Sequence, residues 1–504
     1  MTGALIQLVA YGVQDLYLTG DPQITFFKIV YRRHTNFAVE SVMQTFSAMP
    51  NFGEKATCTI GRVGDLIGQM FLYVRLPVIP PFINECTNEP DCVRKFAWVR
   101  SVGHAIIKET TFEIGGKLID RQYGEWLYIW EQLSGRQDCG IDKLTGNVPE
   151  LYDFTNGKRS YELFIPLKFY FNRNNGMALP LIALASVDVK ITFTFRRADE
   201  CYRIGPTYSI RMDADVVPFK PGDYICQTIC GQTIYGYFIQ FDYLTQQLFY
   251  IKIHSPTACN RCFTGSDTPD CPIYNPITLE ACAPAKCAVE IYESTCIPCP
   301  LQFVFACLYV NYIFLDSDER LKFARATHEY LIEQIQYNQL VGICSPNIQQ
   351  NLNLSHPCKS HYWIAQLDGL VGHRTINDLF NFTSSVVRYP DGRLCGIDLV
   401  QSACLLLNGN NRFNTREAEF FNLEEPYSRH YRGPITGINM YSFCLHPEDF
   451  QPSGSINMSK IDYIVMKMCL DRVVCMQQTC TVRSYTLNYN VLRIFFNLGG
   501  LAFT

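Results

Sequence analysis

Phe112-Glu-Ile-Gly-Gly-Lys-Leu118 sets two glycines between residues that alternate apolar and polar. Alternation of period two marks a strand with one buried face. A Gly-Gly pair supplies the positive φ that a tight hairpin turn needs. The stretch therefore predicts a β-hairpin. Leu405-Leu-Leu-Asn-Gly409 reads the same way, with Asn-Gly at its turn. The two turns stand at an offset of 293 (408 − 115). Phe37-Ala-Val-Glu-Ser-Val42 and Tyr330-Leu-Ile-Glu-Gln-Ile335 share a pattern at the same offset (330 − 37). One offset at two separated places points to an internal duplication.

Around these anchors the chain reads as β-structure. Val187-Asp-Val-Lys-Ile-Thr-Phe-Thr-Phe195 is the clearest half-buried strand. Leu301–Leu315 is the longest apolar run, but Gln302 and Asn311 interrupt it, so it predicts a strand and not a membrane span. A helix is expected before each copy of the repeat. Asp21 would cap the first, with Pro22 in its first turn; Ser317 or Asp318 would cap the second. The first copy, Phe37 to Asp316, is much longer than the second, Tyr330 to Gly500. A Cys-rich segment, 201–302, accounts for nearly all of that difference. The simplest plan is a duplicated β-domain whose first copy carries a β-rich insertion, with strands in Ile234–Leu244 and Gln247–Ile253. Paired units of many short strands suggest sandwiches.

The 504 residues are 48% hydrophobic and 18% charged, which suits a large buried core. Aromatics make up 13%, favouring strands. Lys and Arg number 43 against 47 Asp and Glu, a net charge of −4. A chain that wraps nucleic acid needs a basic excess, so direct sequence-specific nucleic-acid binding is not expected. No run of 18 apolar residues suggests a transmembrane segment, and Met1-Thr-Gly-Ala-Leu5 lacks the basic flank of a secretory leader. The expectation is a soluble chain made in the cytosol.

Catalysis finds little support. The sequence has no phosphate-binding Gly-x-x-x-x-Gly-Lys loop, no His-Glu-x-x-His and no Gly-x-Ser-x-Gly, so neither an enzymatic role nor a cofactor is expected. The Cys cluster is the sharpest local signal: residues 201–307 hold 11 of the 23 Cys. Cys259-Asn-Arg-Cys262 and Cys296-Ile-Pro-Cys299 are two Cys-x-x-Cys pairs, a spacing at which thiolates can grip zinc. The gap between the pairs is longer than usual for such sites. Cys226, Cys230, Cys271, Cys282 and Cys287 add further partners. Disulfides, which would brace a loop domain with little core of its own, unbridged buried thiols and a zinc site remain three open readings. Residues 221–310 carry 3 basic and 7 acidic residues, so the insertion is acidic as well as rich in Tyr. Asn353, Asn381 and Asn457 begin Asn-x-Ser/Thr triplets; they are candidate glycosylation sites that a cytosolic route would leave bare. Arg32, Arg33 and His34 form a small basic patch, too small for strong phosphate binding and better suited to anchoring an N-terminal arm.

A resemblance then emerges. Leu5–Gly12, Asp15–Gly20, Pro22–Lys28 and Tyr31–Phe37 look like the opening signature of the double jelly-roll capsid proteins of nucleocytoplasmic large DNA viruses. Similar blocks follow in family order at Phe164–Phe171, Ala178–Leu184, Tyr312–Asp316, His328–Gln334, Leu407–Gly409 with Arg412-Phe413, Gln451–Gly454, Ser459–Asp462 and Asn488–Arg493. They cover nearly the whole chain except 201–302. The resemblance implies an all-β fold of two tandem eight-stranded antiparallel jelly rolls, with the Cys-rich insertion in the first. It implies an arm (1–20), a first roll (21–316, interrupted by 201–302) and a second roll (317–504). It also implies a structural subunit of an icosahedral shell, assembled as pseudo-hexagonal homotrimers beside neighbouring capsomers and minor capsid proteins. The place is the virion, after synthesis in the host cytoplasm. The insertion should lie between the last two strands of the first roll and face outward. There it could meet a host surface or glycans through 221–300, or simply cover the trimer top. A minor capsid paralogue or a surface attachment or glycan-binding virion protein on the same fold is the alternative.

Overall fold

The computed structural model describes residues 10–503 apart from 11–13, 15, 30, 84–87, 92, 135–139, 230, 254–261, 266–270, 292–296, 298–299, 373–376, 386, 390–393 and 435–436. Eight strands build a first sandwich: β1 (Phe37–Gln44), β2 (Lys55–Thr59), β3 (Leu66–Leu76), β4 (Ile107–Ile114), β5 (Lys117–Tyr123), β6 (Tyr161–Pro166), β7 (Val189–Phe195) and β8 (Phe305–Leu315). They pair antiparallel in two layers, ordered β1-β8-β3-β6 and β2-β7-β4-β5, which is a jelly roll. Alternation sends Leu72, Leu163 and Val310 of one layer and Phe112 and Ile191 of the other into a shared interior, where all are fully buried. At the β4–β5 turn Gly115 and Gly116 have φ of 57° and 78°, both positive as a type I′ turn demands.

Eight further strands repeat the plan: β9 (His328–Ile343), β10 (Asn347–Asn351), β11 (Pro357–Leu367), β12 (Val400–Leu407), β13 (Asn410–Asn411), β14 (Ile438–Ser442), β15 (Ile464–Leu470) and β16 (Cys480–Phe495). Their layers run β9-β16-β11-β14 and β10-β15-β12-β13, the same order with each number raised by eight. Asn408 and Gly409 make the second hairpin turn, with φ of 48° and 80°. β4 and β12 keep the offset of the turn motifs at both of their ends (400 − 107, 407 − 114).

The other repeat needs a correction. Val42 faces inward beside Val310, which pairs in turn with Met70. In the second roll the inward row runs through Asn338, beside Ser484 and then the core residue Trp363. Ile335, the residue that the motif sets against Val42, points out of its sandwich and packs on the first roll's core. The two motifs occupy equivalent strands, but an odd slip turns every side chain to the opposite face.

Between β7 and β8 the chain builds a separate seven-stranded antiparallel sheet. Its long central strands are Tyr224–Ile229, Gln232–Asp242 and Gln247–Ile253. It starts later than residue 201, because Tyr202–Gly205 still pairs with Lys95–Trp98 of the first roll. One face has a core of its own, including Ile225, Phe238, Leu248, Tyr250 and Phe263, contrary to the expectation of a loop domain with little core. From the other face Tyr224 and Ile253 join the core of the second roll, with Tyr235 and Tyr237 packed beside them.

Three helices matter below. α1 (Gly124–Ser134) follows β5 directly. Gly124 opens it because a Cβ there would lie 2.1 Å from the Ile107 carbonyl oxygen. α2 (Ser317–Arg325) is capped by Asp316, whose carboxylate accepts the Ser317 N–H at 2.7 Å, one residue earlier than expected. α3 (Glu425–Arg429) continues a π-helical turn at Phe420–Glu424. The helix expected from Asp21 does not form among residues 21–29; Asp21 sits at φ 47°, outside the extended geometry of a capping residue. No helix among the described residues is long and apolar enough to cross a membrane.

Candidate functional site

The two rolls meet along a buried seam built on α1. In Gly124-Glu-Trp-Leu-Tyr-Ile-Trp-Glu-Gln-Leu-Ser134, Trp126 and Trp130 are four residues apart and share one face of the helix. That face meets the outward side of the second roll's β9-β16-β11-β14 layer. The Trp126 ring lies 5.2 Å from Tyr362 and 5.8 Å from Tyr485, and Tyr128 stacks on Phe380 at 4.1 Å. One continuous hydrophobic core therefore includes residues of both rolls.

Polar groups fix the geometry that apolar packing alone would leave free. Glu125, buried at the start of α1, accepts the Tyr485 hydroxyl at 2.8 Å. Guanidinium groups from both rolls flank it, Arg196 at 3.7 Å and Arg483 at 3.6 Å. Glu333 of β9 bonds to Arg173 of the first roll and to Lys359, which is fully buried, at 2.6 Å. Asp120 of β5 accepts the Ile335 backbone N–H at 3.2 Å, and the Gln334 amide donates to the Ile119 carbonyl. Burial lifts the Asp120 carboxyl to about 6, against the pull of its hydrogen-bond donors.

A cavity of about 560 Å³ opens beside the seam, faced by Trp130, Glu131, Lys168, Arg173, Glu333 and Phe450. Burial raises Glu131 to about 7 and depresses Lys168; His104, 3.7 Å from Glu131, is held neutral by burial down to about 3.

Among the described residues, apolar side chains reach the surface in several places, two of which matter here. One is the outward side of the first roll's β1-β8-β3-β6 layer. Val39, Ile313, Phe71 and Tyr309 lie there, with a groove of about 750 Å³ reaching to Phe323 of α2. The second is the helical segment after β13, where Leu423 and Tyr427 project into solvent. The segment before β1 is similarly bare: Ile24, Phe26, Phe27 and Ile29 are all exposed. Buried seams and apolar outer faces are the equipment of a subunit that assembles.

Comparison with known proteins decides the family. Residues 25–221 match the family described as major capsid protein N-terminus, and 319–500 match the large eukaryotic DNA virus major capsid protein family. "Probable capsid protein 4" of Acanthamoeba polyphaga mimivirus is 52% identical, the alignment covering 100% of this chain and 99% of that protein. The chain belongs to the major capsid protein family of large eukaryotic DNA viruses. The major capsid protein of Phaeocystis pouchetii virus is 32% identical with both chains covered in full. The quasi-atomic structure of the PBCV-1 virus capsid matches with a TM-score of 0.60 at 25% identity, over 95% of this chain and 100% of that one. This capsid subunit is thus a structural component of the virion shell and not an enzyme. The fold inferred from its sequence, two tandem jelly rolls, holds.

The residues singled out in the capsid subunit's sequence fare differently. Cys226 is buried, and burial raises its thiol to about 11. Cys262, Cys271 and Cys282 are half-buried and Cys287 is exposed; none of the five is bridged to another described Cys. Cys230, Cys259, Cys296 and Cys299 lie outside the described residues, as does most of 1–20. Asn353 and Asn457 are exposed. Asn381 needs a correction: it is fully buried, its amide donating to Asp378 and Ser385 and its oxygen accepting from Thr383, so a glycan has no access in the folded protein. The seam escaped sequence reading. Its one signal was Trp126 and Trp130, two of only four Trp, set four residues apart.

Proposed function

We propose that this protein is the major shell subunit, working as a homotrimer of pseudo-hexagonal outline. Three chains then contribute six rolls, and such trimers tile an icosahedral shell beside neighbouring capsomers and minor capsid proteins. The observation that carries the reading is the pair of rolls with one strand order, locked side by side by the buried α1 seam. A rigid chain with two similar lobes is half-way to a six-lobed tile, and cyclic closure by three copies satisfies every interface at once. The protein would be made in the host cytoplasm and function in the virion, without nucleic-acid contacts of its own. We take 1–20 as an arm, 21–316 as the first roll and 317–504 as the second. Sedimentation of the purified chain tests this: the expected species has three times 57.8 kDa, and a stable monomer overturns it.

The insertion is best read as a cover over both rolls. Tyr224 and Ile253 pack into the second roll while Tyr202–Gly205 stays in the first, which supports bracing over mere projection. The attachment reading rests on its hairpin tip, where Tyr243 and Leu244 are exposed. Replacing both with Ser spares the covering face. Unchanged trimers with lost particle attachment would support a host surface or glycan as partner; unchanged attachment would remove that role.

A further inference from the structure

The cis seam is a template for a contact that the single chain leaves unmade. In the first roll, Glu109 of β4 pairs with Tyr123, the residue just before α1. In the second, Ser402 of β12 stands at the offset that relates β4 to β12 (402 − 109) and pairs with Glu417, just before the helical segment that runs into α3. Tyr123 and Glu417 are therefore equivalent, and counting onward sets Phe420 against Trp126 and Phe421 against Leu127. Burial agrees: Leu127 and Phe421 are both fully buried, each in its own roll. The outer sides disagree. Trp126 and Trp130 are buried against the second roll, whereas Leu423 is 63% and Tyr427 87% exposed.

The receiving surface has the same counterpart. In cis, Trp126 meets Tyr362, and the Trp pair also borders Ile335 and Leu487, which are paired neighbours in register. The equivalent layer of the first roll presents Val39 and Ile313, directly paired, on its outward side, as Ile335 and Leu487 are paired on the outward side of the second. Gln69 lies on the same outward side of β3, next to the inward-facing Met70. Val39, Ile313 and Gln69 all line the groove of about 750 Å³. Among the described residues that groove lies open on the layer equivalent to the one that α1 covers. A second observation marks it as incomplete: a carboxylate oxygen of Glu319, on its wall, is buried without a hydrogen-bond partner among the described residues.

We infer that this groove receives the Phe420–Glu424 turn and α3 of a second copy, with Leu423 and Tyr427 as the inserting side chains. The contact is head-to-tail, because each copy offers one helix and one groove at different places; it closes on itself only as a ring. The inference rests on the homotrimer reading and names the surfaces that make it.

Two variants separate the two claims. Leu423→Asp with Tyr427→Asp blocks the helix and leaves the groove; Val39→Asp with Phe37→Asp blocks the groove and leaves the helix. All four side chains are exposed in the single chain, so folding should survive, with circular dichroism as the check. Light scattering should give 57.8 kDa for either variant alone and twice that for their equimolar mixture, since one intact contact remains. A variant that still forms trimers, or dimerises by itself, overturns the seam while the trimer reading stands. A monomeric wild type overturns both. Should either variant misfold, hydrogen exchange on wild-type trimers decides: β1 and Phe420–Arg429 slow on assembly if the inference holds and stay unchanged if it fails.

Discussion

The two rolls share one strand order, yet the helix after the fifth strand has opposite fates in them. In the first roll α1 is buried, its two Trp pressed on the second roll's outer layer. In the second, the equivalent segment shows Leu423 and Tyr427 to solvent. The strands answer to their own sandwich interiors, which duplication preserves. The helices answer to whatever stands outside, which differs for the inner and the free flank of a two-lobed chain.

Substitutions on the two flanks should expose the asymmetry. Trp126→Ala should lower the stability of the chain by about 3–5 kcal/mol, as large-to-small changes of a buried aromatic do. Lys359→Met, which leaves Glu333 with Arg173 as its one cation, should cost less, about 1–3 kcal/mol, because a buried carboxylate loses one charge-assisted hydrogen bond. Denaturant unfolding measures both; losses under a third of these values would show that the seam is a soft contact. On the free flank, Leu423→Ser in the unassembled chain should change stability by no more than about 0.5 kcal/mol. A loss as great as that of Trp126→Ala would erase the distinction between the flanks.

Protonation gives a smaller lever on the seam. In the fold, burial keeps Glu131 protonated up to about pH 7; unfolded, it ionises at the ordinary carboxylate value. Between those two points the folded state binds more protons. Its contribution to stability is therefore fullest at the acid end and declines as pH rises toward 7. The neighbouring His104, held neutral by burial, works the other way below its unfolded pKa. Comparing wild type with Glu131→Gln isolates the carboxyl: the wild type should lose ground to the variant between pH 5 and 7. Parallel profiles would mean that Glu131 ionises freely.

Thiol labelling extends the contrast to the insertion at the smallest scale. Cys287 should react before Cys58, Cys201 and Cys480, whose thiols burial lifts to about 12. Labelling at equal rates would place the buried thiols nearer solvent than their packing allows.

Much of the fold was legible because turns and alternation are local. Gly115-Gly116 and Asn408-Gly409 announce type I′ turns by residue type alone, and Val187–Phe195 shows its buried face by period two. What failed was relational. The Phe37 and Tyr330 motifs match in composition but not in facing, since pairing register is set by neighbouring strands and not by the strand itself. Asp21 and Pro22 look like a helix start, yet Ile24, Phe26 and Phe27 are exposed, with no packing among the described residues to hold a helix face. The insertion's own core needed Ile225, Leu248 and Phe263 brought together from separate strands and loops. The seam joins Trp126 of the first roll to Tyr485 in the last long strand of the second, a separation beyond the reach of any periodicity.

Electron microscopy of the purified protein, averaged into single-particle views, tests the central claim most directly. Three chains joined as described should appear as a six-lobed disc with threefold symmetry. Two-lobed particles, or open chains of lobes that never close, would contradict it.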